Sequence, residues 1–219
     1  MTREEAQKEV CDAGRLLLKE GLVARTWGNV SCRIDDIYFA ITPSGRTYDD
    51  LKPEEVVIMN MHTEEYEGEV KPSSEKGVHA GLYRSRKDIN AVIHTHQVNA
   101  STIAAAHRTL PAVLDDMAQL IGPDVRVADY ALPSTKKMVR VVLKAIKGRN
   151  AAILANHGAI CAAPTMDDCF AVAQILEKSC KVFIEAEFLG GAKKLSKFDA
   201  VVMRQYYLIK YSRNRERNR

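Results

Sequence analysis

The sequence has no apolar run near the length needed to cross a bilayer, which argues against a helical membrane span. It has no Gly-x-Gly-x-x-Gly after its first strand-like run, which argues against a dinucleotide-binding fold. Charge of one sign is not in excess: 32 basic side chains stand against 28 acidic ones, net +4, too balanced for a nucleic-acid surface. No base-reading motif is present either, so neither nucleic acid nor membrane is expected as a partner. The five cysteines, at 11, 32, 161, 169 and 180, are odd in number and form no close pair of the metal-binding or redox kind. Cys11, Cys169 and Cys180 fall in helical patterns and read as small buried hydrophobes. With no export segment at the N-terminus, a reducing, cytoplasmic setting is the expectation. Aromatics are scarce at 6%, and no repeat or low-complexity linker divides the chain.

What is there is an ordinary globular composition, 46% apolar and 27% charged over 219 residues, enough for a sizeable core. It reads as one α/β domain over residues 1–209. A basic tail follows over 210–219, expected to be flexible, in which Lys210, Arg213, Arg215, Arg217 and Arg219 face only Glu216. Thr2 with Glu5 resembles a capping box, and Ala6, Val10, Ala13 and Leu17 keep the helical period up to Gly21. Val30, Cys32 and Ile34, then Ile37 to Ile41, predict two strands joined through Asp35-Asp36. Val56 to Met59 reads as a strand, and Val78, Leu82 and Tyr83 as a helix that Ser73 or Ser74 would cap.

An alanine-rich helix follows from Asn99 or Ser101, and Leu114 to Ala128 fits neither period cleanly. Ser134 or Thr135 opens a helix reaching Gly148, Ala151 to Ala155 is a buried strand that Ile160 extends, and Thr165 with Asp168 caps the longest helix, ended by Gly190-Gly191. A last helix is expected over Phe198 to Ile209, its aromatics serving as core or lid.

The chemistry gathers between Pro72 and Gln97. Ala91-Val92-Ile93 delivers His94 and His96 to one face of a strand, since side chains two apart share a face. Imidazoles so spaced converge on one divalent metal if a third ligand arrives, and His157, after the run AAILAN, is the natural third. Three histidines leave a coordination position open, as a catalytic metal site requires. The plain alternative is a set of strand and loop histidines satisfied by backbone partners. Glu75 within the same unit favours the metal. Its plain alternative is a first-turn helix charge matching the dipole. The turn Thr42-Pro43-Ser44-Gly45 and the helix start at Pro72-Ser73-Ser74 offer hydroxyls and free N–H groups of the kind that cradle an oxyanion.

Five segments, Gly28-Asn29-Val30-Ser31, Ile41-Thr42-Pro43-Ser44-Gly45, Lys71-Pro72-Ser73-Ser74-Glu75, His94-Thr95-His96 and Asn156-His157-Gly158, stand in the order and spacing of the class II sugar-phosphate aldolases, and to about residue 190 the chain resembles that family. L-fuculose-1-phosphate aldolase typifies it, and it also contains L-ribulose-5-phosphate 4-epimerase and methylthioribulose-1-phosphate dehydratase. The resemblance implies a three-layer αβα sandwich around a mostly antiparallel sheet. It implies Zn2+ on His94, His96 and His157, with Glu75 a further ligand at rest; three imidazoles also accommodate Mn2+ or Co2+. It implies a phosphate site of Asn29, Ser44, Gly45, Ser73 and Ser74, with Gly28 shaping the approach.

The expected activity is cleavage of a ketose 1-phosphate to dihydroxyacetone phosphate and an aldehyde, with Glu75 as base. Epimerases carry an aspartate at the position of Glu75, which disfavours that branch; the dehydratase shares the glutamate. Asp115-Asp116 stands where the fuculose-phosphate enzyme supplies a tyrosine across a subunit boundary, and either acid is a candidate to orient a hydroxyl or move a proton. Tyr206, Tyr207 and Tyr211 are candidates for the family's C-terminal tyrosine. A homotetramer is the family expectation. The competing class is a metal-bearing interaction protein without turnover. His62, His79 and His107 carry no matching role.

Overall fold

Thr2 caps the first helix, α1 (Arg3–Lys19): its hydroxyl accepts from the Glu5 backbone N–H while the Glu5 carboxylate accepts from Thr2 N–H. Ala6, Val10, Ala13 and Leu17 make its buried stripe. In this computed structural model, which describes residues 1–217 and side chains as far as Lys210, α1 packs on a hairpin of β1 (Asn29–Arg33) and β2 (Tyr38–Ile41). Asp35 turns that hairpin, its carboxylate accepting from Ile37 and Tyr38 N–H, both at 2.7 Å.

The remaining strands are β3 (Val57–Asn60), β4 (Ala91–Thr95), β5 (Leu110–Pro111), β6 (Asp124–Val125), β7 (Val127–Ala128), β8 (Ala151–Leu154) and β9 (Gly158–Ala163). Seven of them form one sheet in the order β3-β2-β1-β4-β9-β8-β7, while β5 and β6 pair separately. Every neighbour in the large sheet is antiparallel except β7 with β8. The remaining helices are α2 (Lys76–Ser85), α3 (Val98–Ala106), α4 (Asp115–Leu120), α5 (Lys136–Ile146), α6 (Met166–Phe188) and α7 (Lys197–Arg217).

Strand alternation sorts the core into two layers. Val30, Cys32, Ile93, Ile153 and Cys161 face α1, α3 and α6; Phe39, Ile41, Val92, Ile160 and Ala162 face α2 and α5. Because both faces are covered, β4 and β9 are buried along their whole length, and their sequences run apolar rather than alternating. Each fully buried Leu, Ile or Phe contributes roughly 1.5–3 kcal/mol. The result is the αβα sandwich that the resemblance implies.

Four expectations need adjustment. Neither Ser73 nor Ser74 caps α2: Glu75 occupies the N-cap position without a side-chain cap bond. The apolar stretch around Ile160 is a separate strand, β9, returning antiparallel to β8. The ambiguous stretch resolves into the short helix α4 and the two-residue strands β6 and β7, too short to impose a period. The last helix runs on to Arg217 instead of stopping at Ile209, so most of the expected tail is helical; residues 218 and 219 and the side chains from 211 onward lie outside the described residues.

Ala200 and Met203 of α7 pack with Ala112 and Ala118. Arg204 donates to the Gln119 and Leu120 carbonyls, both at 2.8 Å. Among the described residues no helix is long and apolar enough to cross a membrane.

Candidate active site

The C-terminal edge of β4 meets the β8–β9 turn because glycine stands at 158. A Cβ there would fall 2.3 Å from the Thr95 carbonyl oxygen. Asn156, at φ 55°, makes the turn; its N–H donates to Ala104 O at 3.2 Å and its side-chain oxygen accepts from His107 Nε2 at 2.6 Å. His157 is thereby carried to His94 and His96, and the ligand atoms of the three lie within 4.8 Å of one another. His96 sits one residue beyond the end of β4, yet its Nε2 comes 2.9 Å from that of His94.

His94 Nδ1 lies 2.8 Å from Ala159 O. A carbonyl only accepts, so Nδ1 donates and Nε2 is the nitrogen that faces inward. Glu75 joins from the start of α2, with Oε2 3.1 Å from His94 Nε2 and Oε1 3.5 Å from His157 Nε2. Oε1 is buried and has no hydrogen-bond partner. Imidazole nitrogens and a carboxylate oxygen without a donor, converging in one place, are a donor set that fits a divalent cation. His94, His96 and His157 thus form a potential metal-binding site.

Electrostatics agree. Burial opposes ionisation of Glu75, but His94, the hydrogen bond from Asn29 and His157 together outweigh it and hold the carboxyl below its usual range. Burial, reinforced by His94 and His157, pushes His96 down to about 4, and burial followed by His94 lowers His157. Both shifts favour the neutral ring, the form that ligates.

Of the expected phosphate residues, Asn29 and Ser73 bond Glu75 and Gly28 lies against His94. Ser44 N–H donates to Lys71 O at 2.8 Å and Ser73 N–H to Thr42 O at 3.0 Å, so the two hydroxyl-rich turns are bonded edge to edge. Ser44, Gly45 and Ser74 are exposed, whereas Ser73 is buried with its hydroxyl accepting from Glu75 N–H at 3.3 Å. Gly28, at φ 84°, passes so close that a Cβ would lie 2.8 Å from His94 O, and its own carbonyl accepts from Tyr48 OH at 2.8 Å. Asn29 Nδ2 donates to Glu75 Oε2 at 3.0 Å.

Asp115 and Asp116 are elsewhere, on α4. Asp115 is exposed and Asp116 is ion-paired with Lys178; among the described residues neither is bonded to the histidine group. Tyr206 is exposed on α7 and Tyr207 is partly buried against the core, while the Tyr211 side chain lies outside the described residues. Two histidines left without a role at the outset are engaged. His107 holds Asn156, and His79 is fully buried with Nε2 on Asn29 Oδ1 and Nδ1 2.6 Å from Ser31 Oγ. Spacing carried the signal: 75, 79 and 83 share one helix face and 29 and 31 one strand face.

Comparison with known proteins agrees with this geometry. The family model for the class II aldolase and adducin N-terminal domain matches residues 8–184. The 5-deoxy-D-ribulose 1-phosphate aldolase of Bacillus thuringiensis serovar kurstaki is 38% identical over 196 residues, covering 89% of this chain and 92% of the relative. The 5-methylthioribulose-1-phosphate/5-deoxyribulose-1-phosphate aldolase of Rhodospirillum rubrum is 36% identical over 179 residues, covering 82% and 76%. A solved L-fuculose 1-phosphate aldolase superposes with a TM-score of 0.89 at 33% identity, covering 93% of this chain and 96% of the other.

Proposed function

This chain belongs to the class II aldolase and adducin N-terminal domain family, and on that footing we propose that it reversibly cleaves a ketose 1-phosphate to dihydroxyacetone phosphate and a small aldehyde. The observation that carries the reading is the seat of Glu75: a buried carboxylate against His94 and His157, one oxygen tied to Asn29 and the other without a donor.

His94, His96 and His157, with Glu75 at rest, would hold a divalent ion, Zn2+ in the first instance with Mn2+ or Co2+ as alternatives, which would supply Lewis-acid stabilisation of negative charge on the sugar oxygens. The chain's own groups do the rest. The hydroxyls of Ser44, Ser73 and Ser74, the Gly45 N–H and the Asn29 amide hold the phosphate, and Gly28 lets it approach, without a cation beside the metal ligands. Glu75 takes the C4 hydroxyl proton as the C3–C4 bond breaks; the electron pair passes to C3, the C4 fragment leaves as an aldehyde, and protonation at C3 completes dihydroxyacetone phosphate. In reverse, Glu75 removes the C3 proton. The Bacillus relative's substrate makes 5-deoxypentulose 1-phosphates the first compounds to try, alongside L-fuculose 1-phosphate.

Asp115 and Asp116 fit an aldehyde-end role in a neighbouring copy, since neither reaches its own histidines. A homotetramer accords with α7, where Phe198, Val202, Tyr206 and Ile209 recur every three or four residues and are all exposed. The test of the site is a pair of variants. Glu75→Gln should keep its metal and lose turnover by roughly 10²–10⁴-fold, while His94→Ala should lose both. Metal-dependent turnover at the normal rate in either would overturn the assignment.

A further inference from the structure

Glu75 is the end of a chain of buried hydrogen bonds whose directions are all determined. Asn29 Nδ2 is 3.0 Å from Glu75 Oε2. A carboxylate only accepts, so the amide NH2 of Asn29 must face it and the amide oxygen must face away. That oxygen meets His79 Nε2, which must therefore carry a proton and donate. In a neutral ring the other nitrogen is bare, so Nδ1 accepts from Ser31 Oγ at 2.6 Å, and Ser31 in turn accepts from Tyr83 OH at 2.8 Å. The outer end is fixed by packing: the Tyr83 ring lies 5.4 Å from Phe39 and beneath the Arg33 guanidinium at 4.9 Å. Burial, with His94 adding to it, pushes His79 down to about 3, in keeping with a neutral ring.

We infer that His79 is a positioning residue for Glu75, holding the Asn29 amide so that its NH2 occupies Oε2 and leaves Oε1 as the oxygen that faces the reacting proton. This rests on the reading of Glu75 as the base. Without a donor at His79, the Asn29 amide oxygen is left buried with no partner and the side chain loses the bond that anchors it, so its NH2 no longer stays fixed on Oε2 and neither Glu75 oxygen is selected. Ser31 sets the direction, because its hydroxyl occupies Nδ1 and keeps the proton on Nε2. His79, Ser31 and Tyr83 are not expected to touch substrate; they act through Asn29.

The first readout needs no substrate. Nitrogen-detected NMR of histidine-labelled protein, with and without Zn2+ and with the resonance assigned through His79→Gln, should find His79 neutral at pH 7 and protonated on Nε2. Ser31→Ala should mix the two tautomers. An imidazolium, or a neutral ring protonated on Nδ1, would overturn the inference while leaving the aldolase reading untouched. The second readout is kinetic. At equal metal content His79→Leu should lower kcat about 10- to 100-fold, with His79→Gln, which retains a donor in place of Nε2, recovering most of it. Equal losses in the two would mean that the side chain only fills space. An absence of aldolase activity in the unaltered protein would instead overturn the proposed function, with the tautomer result standing.

Discussion

At the scale of single residues, the site depends as much on what is missing from a side chain as on what is present. Gly158 allows the turn bearing His157 to lie against Thr95, with no room for a Cβ. Gly158→Ala must push β9 from the end of β4, where Thr95 pairs with Ala159. The expected outcome is a loss of about 1–3 kcal/mol in urea unfolding, as overpacking typically costs, together with weaker Zn2+ binding. Unchanged metal affinity would show that the turn does not aim His157. The histidines and Glu75 were legible in the sequence because each is delivered by a short, strongly patterned segment. The roles of His79 and His107 were not, because spacing places a residue on a face but does not say which faces, on segments 49 or 50 residues apart, meet.

At the scale of elements, legibility followed the caps. α1, α5 and α6 start where Thr2, Thr135 and Thr165 accept backbone N–H bonds, and in each the sequence pointed to that residue or its neighbour. α2 misled because its two serines have other work: Ser73 bonds the Glu75 N–H from outside the helix, and Ser74 is exposed. β5, β6 and β7, two residues each, exist only through their partners.

α7 shows a tertiary contact that no local rule foretells. Arg204, buried, donates to two carbonyls at the end of α4, and burial followed by Arg86 lowers its pKa to about 10. Losing these charge-assisted bonds in Arg204→Ala should cost about 1.5–3 kcal/mol. Lysine should not restore it, because a single ammonium does not reproduce the planar fork. Full stability of Arg204→Lys by thermal unfolding would contradict that account.

At the scale of the whole molecule, the sandwich brings two sequence-distant halves together at the middle of one sheet. His94 on β4 and His157 in the turn leading into β9 come together only because β9 pairs with β4, across the middle of the chain. The resemblance supplied that topology; the residues alone did not. Among the described residues, Phe198, Val202 and Tyr206 form an exposed apolar stripe on α7. If a second copy covers it, sedimentation should find a tetramer, and Val202→Glu with Tyr206→Glu should give smaller species; a monomeric parent protein would exclude that role.

The central claim is carbon-carbon cleavage, and product identity tests it most directly. The metal-reconstituted protein should be given 5-deoxypentulose 1-phosphates, L-fuculose 1-phosphate and L-ribulose 5-phosphate, with products resolved by mass and dihydroxyacetone phosphate coupled to a reductase. Metal-dependent release of dihydroxyacetone phosphate with a matching aldehyde is the predicted result. An isomeric or water-depleted product without cleavage would contradict it and assign Glu75 to epimerisation or dehydration instead.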